Sequence, residues 1–111
     1  MENRYKLILS TKRSYREAEL SAEQSKKVIG TGLESDIRFR EEDFFEPCVF
    51  TAVLDQDRCQ LECGENVYFS AGDARKLMLS ELTPGGEITV KYRESGVEVM
   101  RLHFMVDFDY Y

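Results

Sequence analysis

A chain of 111 residues, 42% hydrophobic and 32% charged, has the composition of one globular domain, able to bury roughly two-thirds of its unfolded surface. Its net charge of −6 argues against DNA, RNA or a bare anionic membrane as partner, since these demand a basic face that displaces counterions. The opening apolar run is too brief for a signal-peptide core, and nothing approaches the ~18 consecutive apolar residues of a membrane span, so a cytoplasmic chain without direct membrane insertion is expected.

Apolar residues recur with a period of two, not the ~3.6 of a helix. Residues 5–10 (YKLILS) and 15–20 (YREAEL) make two strands, and the polar TKRS between them marks a hairpin. Residues 26–30 (KKVIG) form a third strand and 36–39 (DIRF) a short fourth. A helical turn or two fits EEDFFEP, where Glu41, Glu42 and Asp43 suit a helix N-terminus and Pro47 stops any continuation. Residues 48–54 (CVFTAVL) and 58–63 (RCQLEC) flank Asp55-Gln56-Asp57, a hairpin turn. NVYFS (66–70), RKLMLSEL (75–82), EITVKY (87–92) and GVEVMRLHFMVDF (96–108) complete the series, and AGDARKL is the second place where a helical turn fits.

Thr83-Pro84-Gly85-Gly86 and Glu94-Ser95-Gly96 are turn sequences. Strands this short and closely punctuated predict an all-β sandwich or barrel. Leu7, Leu9, Ile29, Ile37, Val53, Leu61, Leu79, Ile88, Val90, Leu102 and Phe104 are expected to face inward. In the last strand Val97 and Val99 share one parity, while Met100, Leu102, Phe104, Val106 and Phe108 share the other. Either a β-bulge lies near Val99 and Met100, or Val97 belongs to the turn. Both place Arg101, His103 and Asp107 on the more polar face.

Few residues suggest chemistry, and no catalytic set is expected. The single histidine, His103, alternates with large apolar residues and reads as a half-exposed spacer. Neither a Gly-x-Ser-x-Gly elbow nor a His-Glu-x-x-His pair occurs, and the acidic runs lack the spacing of a calcium loop. Cys59 and Cys63 lie on one strand about 13 Å apart, beyond the ~7 Å that a disulfide tolerates. Zinc pairs share that spacing but sit on tight turns, so no metal is expected and the two thiols read as small apolar residues facing a core. Cys48 leaves an odd count, against a disulfide framework.

VIGTGLESDIRF (28–39) raises the possibility of a phosphate cradle. It lacks the Lys-Ser/Thr of a P-loop and the third glycine of a dinucleotide fingerprint, and it returns to a strand instead of entering a helix. Its form, a strand ending in Gly30, a polar loop and then Ser35-Asp36-Ile37, resembles the first signature of forkhead-associated (FHA) domains. FEPCVFTAVLDQDRCQLEC looks like that family's central hairpin. LTPGGEITV is similar to its Leu-x-Pro-Gly-Asp-x-Ile-x-Val signature, with Gly86 where Asp is usual. The resemblance spans residues about 4–109 and implies one β-sandwich domain, 1–111, of about ten to eleven short strands.

Family members bind phosphothreonine through charge-assisted hydrogen bonds from an Arg after the first glycine and from a Ser-Arg-x-His segment. Here Thr31 follows Gly30, and with Phe50 at the His position, Pro47 and Cys48 take those of Ser and Arg. The Asn-Gly before the later strands is also missing, with SAGDARK in that region. Glu34, Glu41, Glu42, Asp43 and Glu46 nearby would repel a phosphate. The resemblance therefore implies a non-catalytic interaction module without a cofactor, whose candidate binding-face loop residues are Thr31, Gly32, Ser35, Arg38, Glu46 and Arg75. It extends to the FHA-like modules at the cytoplasmic N-terminus of EssC-type, FtsK/SpoIIIE-like ATPases of Gram-positive type VII secretion systems. That placement implies an N-terminal piece of a larger protein, with other secretion-system components or a neighbouring FHA-like module as protein partners. The alternative is a phosphopeptide-binding adaptor that uses Arg75, Lys76 or Arg38 instead. A small enzyme is the third reading.

Overall fold

Alternation builds the strands. In β1 (Tyr5–Ser10) Leu7 and Leu9 are fully buried. Side chains on extended backbone point to two faces in turn, so each strand has an apolar face that only another layer can cover. The computed structural model describes residues 4–108. There, ten strands form two five-stranded sheets packed as a sandwich. The first sheet runs β2 (Tyr15–Leu20), β1, β10 (Glu98–Val106), β9 (Glu87–Tyr92) and β7 (Val67–Ser70). The second runs β4 (Ile37–Arg38), β3 (Lys26–Gly30), β5 (Val49–Asp55), β6 (Arg58–Cys63) and β8 (Leu79–Leu82). Neighbours are antiparallel except β3 and β4, which run parallel.

β1 and β10 lie side by side within the first sheet, in register from Tyr5–Val106 to Ser10–Arg101. Beyond them, the Asp107 N–H donates to the Arg4 carbonyl at 2.9 Å. Between the sheets, Phe50 meets Phe69 edge-on with ring centres 5.9 Å apart, and within the first sheet Tyr5 of β1 stacks on Phe104 of β10 at 5.2 Å. Burial of each such ring contributes roughly 1.5–3 kcal/mol, and the ring geometry about 0.5–1.5 kcal/mol more.

Two residues expected inside are not. Val53 is half-buried on the outer face, because Phe50 and Ala52 set the inward parity of β5. Leu79 is 67% exposed, because Ser80 and Leu82 pair with the buried Leu61 and Cys59. β5 carries apolar residues at both parities, so its periodicity does not say which face is covered. Glu41–Asp43 makes one 3-10 turn, whereas AGDARKL forms bends and a single bridge at Leu77 in place of a helical turn. In β10 both alternatives hold: the register shifts between Glu98 and Met100, and Val97 lies in the turn, its carbonyl accepting the Tyr92 N–H at 3.0 Å. No helix among the described residues is long and apolar enough to cross a membrane.

Candidate functional site

Strand directions gather five connections at one end of the sandwich: residues 11–14, 31–36, 39–48, 64–66 and 93–97. Side chains tie them together. Arg16 donates to the Arg38 carbonyl (2.7 Å), Asn66 to the Pro47 carbonyl (2.8 Å), and Arg93 to the carbonyls of Gly64 (2.7 Å) and Val67 (2.8 Å). Arg13 reaches Asp43 at 3.6 Å.

The geometry explains VIGTG without a ligand. A Cβ on Gly30 would lie 2.2 Å from the Cys48 carbonyl oxygen and 2.8 Å from the Val49 Cα, so glycine is what lets β3 and β5 meet here. Thr31 is 2% exposed. Its N–H donates to the Cys48 carbonyl at 2.9 Å, and its hydroxyl oxygen accepts the Cys48 N–H at 3.1 Å. Asp36 accepts the Val28 N–H through its carboxylate and returns its own N–H to the Val28 carbonyl, both at 2.8 Å. These bonds fold the loop back along β3 and so make β4 parallel to it. The Ser35 N–H donates to the Gly32 carbonyl at 3.2 Å.

At the two positions where the resemblance expects Ser and Arg, Pro47 is exposed and Cys48 is buried. Burial pushes the Cys48 thiol up to about 11, so it is a neutral packing group. The nearby cations are engaged. Arg38 Nε donates to the Thr31 carbonyl at 3.4 Å. Arg40 donates twice to Glu42, at 2.8 and 3.2 Å, and that hydrogen bonding holds the Glu42 carboxyl below its usual range. Arg75 stands apart from the other five nominated residues, in the 71–78 connection, where it pairs with Asp73 at 2.9 Å and lowers that carboxyl. Lys76 donates to the Arg93 carbonyl at 3.2 Å and lies over the Tyr68 ring. The loop end thus brings together Thr31, Gly32, Ser35, Arg38 and Glu46, with the Thr31 hydroxyl committed to the backbone.

Sequence reasoning missed the concave part of this end. A cleft of about 250 Å³ opens between the 11–14 turn, residues 42–45 and the 97–99 segment. Phe44 turns inward and packs against Phe39, with ring centres 5.6 Å apart. Phe45 turns outward and is 84% exposed, although its N–H is fixed by the buried Tyr92 hydroxyl at 3.0 Å and its ring tilts over Tyr92 at 6.2 Å. The signal in the sequence was a Phe-Phe pair inside an acidic loop, which cannot bury both rings on one side of the chain. No protein-family model matches this chain, and no curated protein matches it.

Proposed function

We propose that this chain is a non-catalytic protein–protein interaction module on an FHA-like scaffold that no longer reads phosphothreonine. Its place would be the cytoplasmic N-terminal part of a type VII secretion ATPase. The observation that carries the reading is Thr31: it stands where the resemblance expects a phosphate-binding arginine, is buried, and spends its hydroxyl on Cys48. A ten-stranded sandwich with the 31–36 and 39–48 connections at one end agrees with the resemblance. Charge-assisted hydrogen bonds are worth about 1.5–3 kcal/mol each, so losing two or three removes several powers of ten in affinity.

Titration with a phosphothreonine peptide library at low salt tests this, because electrostatic attraction is then strongest. The expected result is no preference over unphosphorylated controls. The adaptor reading has one specific support, since the Arg38 side chain stays at the signature loop. Micromolar phosphate-dependent binding abolished by Arg38→Ala or Arg75→Ala would establish it. The secretion placement is tested separately, by the coding sequence beyond Tyr111: a second such module, membrane spans and P-loop ATPase domains are expected, and their absence overturns it.

A further inference from the structure

We infer that the cleft beside Phe45 is a docking site for a basic segment of a partner protein, one carrying a single aromatic or branched apolar side chain between lysines or arginines. This rests on the interaction-module reading and assigns its surface. The apolar lining comes from Phe44, Phe45, Tyr92, Val97 and Val99, and none of the six residues nominated from sequence belongs to it. An apolar cavity of ~150 Å³ already admits benzene. A cleft of about 250 Å³ therefore admits one large side chain, while falling short of the ~300–1,000 Å³ usual for a small-molecule site. Phe45 is highly exposed with its backbone already fixed, so little ordering entropy opposes its use as an anchor.

Charge selects the occupant. Residues 31–47 hold Glu34, Asp36, Glu41, Glu42, Asp43 and Glu46 against Arg38 and Arg40, a net −4 within a chain of −6. The lining adds Glu98, offset by Arg101, and the cations Lys12 and Arg13 on the other side, which leaves these residues and the 31–47 segment together at net −2. Glu41 and Glu46 flank the Phe pair without an ion-pair partner among the described residues. A second copy of the chain would bring two such surfaces together, and nucleic acid or an anionic membrane would be repelled. A basic protein segment meets both the apolar and the charged requirement.

The test is selection of a random peptide library on the full chain, followed by fluorescence anisotropy with the enriched peptides. Enrichment of an aromatic or branched residue between lysines or arginines is expected, with binding that weakens as salt rises. Phe45→Ala should weaken it by roughly 30-fold or more, as for a central aromatic anchor. Glu41→Lys/Glu46→Lys should weaken it through charge alone, which keeps the test decisive if Phe45→Ala fails to fold. Leu33→Ala, which removes another highly exposed apolar side chain outside the cleft lining, should change nothing. Enriched peptides that bind but ignore both cleft variants overturn this assignment and leave the module reading standing. No enrichment at all, or enrichment only from a phosphothreonine library, removes both. Self-association abolished by Phe45→Ala would put a second copy in the cleft and overturn the basic partner.

Discussion

Thr31→Val keeps a side chain's shape while removing the oxygen that accepts the Cys48 N–H at 3.1 Å. A buried donor left unpaired costs about 1–3 kcal/mol, so urea unfolding of Thr31→Val should show a loss of that size, and Thr31→Ser should restore most of it. Equal stability of the two variants would mean that the hydroxyl is not structural. Desolvation pushes Cys48 up to about 11, and Cys59 and Cys63 up to about 12, from the ordinary 9.0. A raised thiol keeps its proton longer in the folded chain than in the unfolded one. Its contribution is therefore complete below pH 9 and is lost as pH rises towards 11–12. Melting temperature should fall across that window, and less steeply in Cys48→Ala/Cys59→Ala/Cys63→Ala, even though that variant starts lower. At the residue scale the sequence shows where residues 30–50 depart from the pattern they resemble. It could not reveal that Thr31 and Asp36 serve as backbone ligands, because those bonds depend on how the 31–36 loop folds back on β3 and where β5 lies beside it.

At the scale of elements, the turns hold the sharpest contrasts. The two-residue turn of the β5–β6 hairpin places Gln56 at φ 60°, in the left-handed region where a side chain costs roughly 1–2 kcal/mol. Gln56→Gly is thus expected to raise stability by about 0.5–1 kcal/mol, read as a higher urea midpoint with an unchanged slope. Gly30→Ala acts in the opposite direction: its methyl would meet the Cys48 carbonyl at 2.2 Å, so β3 and β5 must part, at a cost of several kcal/mol. A Gly30→Ala variant as stable as the parent would refute the close-approach account. Most strands were legible from period-two patterning because one face of each is covered. Val53 and Leu79 were misplaced where a strand is apolar on both faces or pairs out of phase with its hydrophobicity. The 71–77 segment escaped because local helix signals there yield to the bridge between Phe69 and Leu77.

Over the whole molecule the two ends of the sandwich differ in kind. One end carries the 31–36 loop, the acidic 39–48 segment and the Phe45 cleft, and its concavity was invisible in sequence because it arises from three separated connections. At the other end Arg4 and Asp107 lie side by side, joined by a 2.9 Å hydrogen bond. That adjacency has a mechanical meaning. Tension applied through Arg4 and Asp107 falls first on their own bond, then on Tyr5–Val106, and peels the six β1–β10 pairs apart in turn. Tension applied through Lys12 and Asp107 instead runs along both strands and loads all six pairs together. In an optical trap the first geometry should open the domain at low force and the second should resist several-fold more. Equal forces would show that β1 and β10 do not bear the load. A fold attached this way can let go from its tethered end while the loops opposite stay assembled until the last pair yields.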